Sequence, residues 1–491
     1  MKRKQKTVVE PTAAEWEQAS LERFKPLISE DEYASLVGEL QKPLLPSFRI
    51  NPLKMSADDV QLLARRYNWK IEPIPFCRTG YHIEEAAPAV SLSQTLEHRM
   101  GHYYIQEAAS MIPVELFHME LDQPELCLDL AASPGGKTTH LISRGGDHSL
   151  VIANDSSAGR IPALQIVLQT WGAANQMITQ FPGEKYGMWF PETFDRVLID
   201  APCSMQGLRT AESHDVRPVT GKEVSALSKR QVNLLTSALQ AVKVGGEVAY
   251  STCTLMPEED EAVIDQILSR FSPQVEILET GIYAPGILSD GIHEYNKQVG
   301  KSLRLWPDRL HTAGFFACLL RKNAPLALPS QPPPSRPLER TGFAELSRTE
   351  ERKLKQTLLE AYGFDLESVL EKYDLITVGY HDRRFAFPAA LFSRFADLPV
   401  QSAGLPIGDE TAEGFIPSHA WVSRFIELFP MGRTVLQSEY IEDWLHLKDV
   451  FSPDFHNSPF IRLMMDSDGR YLGRGRMLDG RVRNLLPHHS R

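Results

Sequence analysis

The chain has 491 residues, 42% of them hydrophobic and 23% charged, with a formal net charge of -11 at pH 7. This is the make-up of a soluble globular protein of about three domains at the usual ~150 residues each, and it excludes collagen-like, low-complexity and membrane-embedded classes. The acidic balance also excludes binding to polyanions through overall charge, so any nucleic-acid contact must come from local patches.

In chain order, the basic start (Lys2, Arg3, Lys4, Lys6) runs into Glu10, Pro11 and Glu15 without the apolar segment of a secretory signal. No stretch approaches the ~18 apolar residues of a membrane span. A cytoplasmic location without a membrane partner is therefore expected. Residues 1–105 carry mixed helix and strand signals. A short apolar run at 126–130 reads as a strand, followed by a Gly-rich turn and the helix-like KTTHLISR. Residues 150–154 form a second strand, after which Ser156 or Ser157 can cap a helix running toward Gln169. Residues 177–181 and 194–200 read as strands, 227–242 as a helix closed by Gly245-Gly246, 247–250 as a strand and 258–271 as a helix. Strands alternating with helices over about 200 residues predict a doubly wound, mostly parallel sheet, with ligands beyond the strands' carboxyl ends. Six prolines within 325–337 then predict a stiff, extended connector. After it, 345–395 is partly helical and 400–491 has short strands and glycine turns. The last 31 residues hold seven arginines and three aspartates, a second basic patch.

The turn Ala131-Ala132-Ser133-Pro134-Gly135-Gly136-Lys137-Thr138 follows a strand and opens a helix, which leaves backbone N–H groups free for an electron-rich ligand. A P-loop needs GxxxxGK[ST], and Ala131 stands where its first glycine belongs; GxGxxG is absent. An S-adenosylmethionine turn needs neither, but requires an acidic residue after the second strand for the ribose hydroxyls. Asp155 stands there. That position alone does not separate a dinucleotide from a methyl donor.

The five cysteines (Cys77, Cys127, Cys203, Cys253, Cys318) are odd in number and scattered, which fits a reducing compartment better than a disulfide framework. None is spaced for zinc, and no metal is expected. Most free cysteines are small buried hydrophobes. Cys203, three residues after Asp200, and Cys253 each follow a strand at the rim that carries the glycine turn, and this points to chemistry. A thiolate adding to carbon 6 of cytosine makes carbon 5 nucleophilic enough to accept a methyl group. A carboxylate near ring N3 stabilises the developing charge, and a second group removes the carbon 5 proton. Cys253, Asp200 and Cys203 can fill these roles.

LDLAASPGGKT (128–138), ANDSSAGR (153–160), VLIDAPCS (197–204) and YSTCTLMPEEDEAV (250–263) resemble, in order and combination, the RNA cytosine C5 methyltransferases of the NOL/NOP/Sun type. FRINPLK (48–54) and YYIQEAAS (103–110) resemble upstream elements of that family. The resemblance implies a Rossmann-like S-adenosylmethionine-dependent methyltransferase core (106–322) behind an α+β N-terminal RNA-binding module (1–105). A Pro-rich linker (323–340), an intermediate helical region (341–395) and a C-terminal PUA-like RNA-binding domain (396–491) complete the division. It makes Cys253 the covalent nucleophile and Cys203 the residue assisting product release. Ala131, Ala132, Ser133, Pro134, Gly135, Gly136, Lys137, Asp155, Asp200 and Arg160 become the methyl-donor contacts. The bacterial members most similar to it imply a decoding-region cytosine of 16S rRNA as substrate, within the small ribosomal subunit, and a monomeric enzyme. The alternatives are a tRNA substrate or a catalytically weak assembly factor. Arg49 and Lys54, with Arg470, Arg474, Arg476, Arg481 and Arg483, are the expected RNA grips. Two positions depart from the family pattern: Pro182 where an acidic adenosine contact is usual, with Glu184 as a substitute, and Met205 where glycine is usual.

Overall fold

The computed structural model describes residues 21–121, 123–208, 219–280, 295–451, 461–478 and 480–487. Its centre is a mixed sheet assembled from strands that read as short apolar runs because both faces are covered. In chain order these are β1 (Leu126–Asp129), α1 (Gly136–Arg144), β2 (Leu150–Asn154), α2 (Ile161–Trp171), β3 (Gln176–Thr179), β4 (Phe194–Asp200), α3 (Gly221–Ala241) and β5 (Val242–Thr252). They are followed by α4 (Glu261–Phe271), β6 (Val275–Ile277), β7 (Leu303–Leu305) and β8 (Phe315–Lys322). The sheet runs β6-β8-β5-β4-β1-β2-β3 and ends on a short strand, Ser402–Ala403; β7 pairs with β8. β1 to β5 are parallel, and β8 enters antiparallel against β5.

Side-chain alternation splits the core into two layers. Leu126, Leu128, Val197 and Ile199 face α3 and α4, whereas Cys127, Val151, Leu198 and Ala249 face α1 and α2. Cys127 and Cys318 are buried and serve here as small hydrophobes. The chain order reverses between β1 and β4, and at that switch point the carboxyl ends of neighbouring strands part to leave a crevice.

A four-stranded antiparallel sheet built from residues 47–105 lies before this core. Two five-stranded sheets follow it; the first spans Ala344–Glu345 to Gly414–Pro417 and so lies on both sides of residue 396. The Pro-rich segment at 325–337 forms neither helix nor strand, and it is not free. Leu326 and Leu328 pack on the core, and Gln331 N–H donates to Met188 O (2.9 Å). No helix among the described residues is long and apolar enough to cross a membrane.

Candidate active site

Asp200 and Ser251 are register partners at the ends of β4 and β5. Cys203 and Cys253 lie just beyond them, and the fold brings their Sγ atoms to 3.2 Å. Cys253 is exposed and Cys203 half-buried. The hydrogen bond to Cys253, and then burial, push the Cys203 thiol well above its ordinary pKa. Cys203 therefore keeps its proton.

From the opposite side of the crevice, Lys137 in the first turn of α1 reaches Asp200 Oδ2 (2.7 Å), and Ser251 Oγ donates to Asp200 Oδ1 (3.1 Å). Burial pulls the Lys137 ammonium down, but Asp200 and then Cys253 outweigh it and hold the group above its ordinary value. Lys137, expected among the methyl-donor contacts, is ion-paired with Asp200 and carries its charge close to Cys253.

The turn itself is held by β2. Ala132 N–H donates to Asn154 O (2.8 Å), Ser133 N–H to Asp155 Oδ2 (3.2 Å), and Arg160 Nη1 lies 3.4 Å from Asp155 Oδ2. Gly135 has φ +116, and a Cβ there would stand 2.9 Å from Val167 Cγ1; one on Gly136 would stand 2.8 Å from the Tyr104 ring. Only glycine fits such a backbone without strain. The first N–H groups of α1 have no intrahelical acceptor. Free N–H donors, a carboxylate at the end of β2 and a cradle without Cβ atoms fit the methionine and ribose ends of S-adenosylmethionine. Ala131, Pro134 and the rest of the predicted turn lie together here. Glu184, the suggested substitute for the acidic contact, is committed to Arg230 of α3 (3.0 Å).

Three carboxylates that the sequence reading did not assign organise the site. Asp129, at the end of β1, accepts from Thr138 Oγ1 (2.8 Å), and burial raises its pKa to about 7. Glu259 is fully buried and accepts from the Ser204 N–H (2.9 Å), the Ser204 hydroxyl and Gln231 Nε2 (3.0 Å). Asp260 accepts from Thr252 Oγ1 (2.6 Å). One acid thus holds the residue after Cys203 and the next holds the residue before Cys253. The PEED string of the YSTCTLMPEEDEAV segment was the available signal. Met205 adopts φ +57 and is 37% exposed, so the usual glycine there answers a left-handed backbone requirement.

The expected RNA grips are corrected. Arg49 is fully buried, donating to Gly136 O (3.0 Å) and Thr139 Oγ1 (2.7 Å), and Lys54 Nζ donates to Met100 O, Thr170 O and Ser423 Oγ. Arg470 pairs with Asp466 and Glu97, Arg474 donates to two backbone carbonyls, Arg476 pairs with Glu413 and Arg481 with Asp449. These cations serve internal contacts; of the five C-terminal arginines, Arg483 alone is exposed without a partner among the described residues. The basic run at residues 2–6 lies outside the described residues. Folding also gathers Cys77, Glu115 and His140, which no spacing rule would show, with their ligating atoms within 4.8 Å. Arg144 already neutralises Glu115 (3.0 Å), and Arg49 adds positive charge beside it, a poor setting for a metal cation.

Residues 116–321 match the family model described as 16S rRNA methyltransferase RsmB/F, and residues 18–108 that of the N-terminal domain of 16S rRNA methyltransferase RsmF. The crystal structure of a methyltransferase homolog from Pyrococcus horikoshii superimposes with a TM-score of 0.51 at 28% identity, covering 62% of this chain and 99% of that one. Fold and site therefore define a Rossmann-like, S-adenosylmethionine-dependent methyltransferase. Ribosomal RNA small subunit methyltransferase F of Erwinia tasmaniensis is 29% identical over 474 residues, covering 96% of this chain and 95% of the relative. Its counterpart in Vibrio atlanticus is 30% identical over 460 residues, 93% of each chain. The chain belongs to the 16S rRNA methyltransferase RsmB/F family.

Proposed function

We propose that the chain methylates carbon 5 of a cytosine in 16S rRNA, with Cys253 as covalent nucleophile, Cys203 as the group that releases the product and Asp200 as the stabiliser of ring charge. The observation that carries this is the 3.2 Å approach of two unbonded thiols beside the Lys137–Asp200 pair. When bound, S-adenosylmethionine supplies an electrophilic methyl group. The turn Ala131 to Lys137, with Asp155, Arg160 and Asp200, would hold it.

Cys253 Sγ adds to carbon 6 of the base, and the electron pair displaced from the ring double bond makes carbon 5 the nucleophile. Asp200 faces the N3 and amine side of the ring, where charge develops. Conversion of Cys253 to a thioether removes the first cause of the high Cys203 pKa. Cys203 can then release its own proton to solvent, its thiolate takes the carbon 5 proton, the double bond re-forms and Cys253 leaves. Extrusion of a paired cytosine costs a few kcal/mol, which contacts outside the crevice must offset. We take the N-terminal module (1–105) and a PUA-like C-terminal domain (396–491) to supply these contacts around a catalytic domain at 106–322, the linker (323–340) and intermediate region (341–395) joining them. A monomer acting in the cytoplasm on rRNA of the small subunit completes the reading.

The test is methyl transfer from labelled donor to small subunits, to naked 16S rRNA and to tRNA. Label is expected in the rRNA. Cys253→Ala abolishes transfer, and Cys203→Ala accumulates a protein–RNA adduct. The reverse pattern would exchange the two roles, and label in tRNA alone would overturn the substrate.

A further inference from the structure

Where α2 meets the strand Ser402–Ala403 and the first C-terminal sheet, the fold leaves a cavity of about 420 Å3 away from the paired cysteines, within the ~300–1,000 Å3 of small-ligand sites. Gln165 and Gln169 of α2, Gln401, Phe343, Tyr380 and Arg383 are among the residues lining it. Phe343 and Tyr380 lie with ring centroids 4.8 Å apart, and Phe343 is braced by Phe385 and Phe387, which makes the aromatic wall rigid. Among the described residues, the three glutamine carboxamides and the Tyr380 hydroxyl have no protein hydrogen-bond partner.

We infer that this cavity takes one unstacked nucleotide of the RNA strand, its base laid on Tyr380 and its edge met by the glutamine carboxamides. The inference rests on the proposed function for the RNA itself. Each carboxamide offers a donor and an acceptor, as a base edge does, and aromatic stacking accepts any base. An apolar ligand would leave three carboxamides without partners. A bare phosphate would prefer free cations, whereas Arg383 is paired with Asp409 (3.4 Å) and the other lining arginines, Arg99 and Arg474, donate to backbone carbonyls. The placement also suits a strand leaving the active site. At 1.5 Å per residue, Gln165 and Gln169 stand about 8 and 14 Å along α2 from Arg160 at its donor end, a few nucleotides away.

The test titrates the full chain with a fluorescein-labelled, unstructured oligoribonucleotide and with the duplex of the same sequence, reading anisotropy at fixed salt. The single strand is expected to bind more tightly. Tyr380→Ala should weaken it about tenfold, within the range for loss of one stacked base, and Tyr380→Phe should restore it. The double variant Gln165→Ala with Gln169→Ala should weaken binding severalfold, and it decides the matter if Tyr380→Ala melts early. Wild-type affinity in these variants, or preference for the duplex, would overturn the inference while leaving methyl transfer to small-subunit RNA intact. Failure of that transfer would instead strike the proposed function and is read in its own assay.

Discussion

At the scale of single residues, the site depends on acids that are not free to ionise as they do in water. Asp129 is the clearest case, because burial outweighs its bond from Thr138 and moves its pKa from 3.8 to about 7. Below pH 4 the carboxyl is protonated in folded and unfolded chains alike, and no penalty exists. Between these values the unfolded chain has released the proton that the folded chain still holds, so rising pH favours unfolding. The penalty is complete above pH 7, and the gap corresponds to about 4 kcal/mol at ~1.4 kcal/mol per tenfold. Asp129→Asn keeps an acceptor for Thr138 and carries no such proton. Its stability relative to the wild type should therefore rise by up to about 4 kcal/mol from pH 4 to 7 and stay flat beyond, measured as urea midpoints across pH. A difference that is the same at both ends would show that Asp129 ionises normally.

At the scale of elements, most of the central sheet could be read in advance, because strands buried on both faces are continuous apolar runs and glycines end the helices between them. The strand predicted at 194–200 is β4 residue for residue, and 126–130 overshoots β1 by one. The larger errors have physical causes. Strand β5 begins at Val242, five residues early, because Val242 already pairs with Phe194; the register then shifts across a bulge that holds Gly245 (φ +85), and the ladder resumes at Glu247. Helix α4 begins at Glu261 rather than residue 258, because Glu259 and Asp260 turn inward to hold Ser204 and Thr252. The cysteines, Asp155 and the glycine turn were legible as strand-end residues. The acids behind them were not, since a buried carboxylate and a solvated one look alike in a sequence. Glu259→Gln tests the clamp. Two N–H donors share one carboxylate oxygen and the Ser204 hydroxyl donates to the other, so a carboxamide that keeps the N–H contacts sets its NH2 against the hydroxyl, which must turn its own proton away and accept. We expect kcat to fall at least tenfold with donor affinity unchanged, and diamide to form the Cys203–Cys253 disulfide more slowly. Wild-type kcat and oxidation rate would remove Glu259 from the positioning of the cysteines.

At the scale of the whole molecule, the cations that looked like RNA grips are the fasteners between its parts. Lys54 belongs to the N-terminal module, yet its three ammonium protons reach Met100 O (2.7 Å), Thr170 O at the end of α2 (2.7 Å) and Ser423 Oγ (2.9 Å) in the C-terminal part. Arg424 returns the contact to Leu53 O (2.5 Å), and Arg470 reaches Glu97 (3.1 Å). Sequence reading assigns an isolated lysine to solvent or phosphate by default, because the partners lie 46, 116 and 369 residues away and share no local pattern with it. The two assignments differ in salt dependence. A phosphate contact, once removed, lowers the slope of log K against log salt by about one, and weakens RNA binding alike for all sequences. Lys54→Met removes the buried amine instead and leaves Thr170 O short of a donor, at about 1–3 kcal/mol, while Met100 O keeps the Ser423 hydroxyl (3.2 Å). The salt slope should therefore stay at its wild-type value while the melting temperature falls and the thermal transition loses cooperativity. An unchanged melt with a slope lower by one would return Lys54 to the RNA-facing surface and undo the fastening role argued for it.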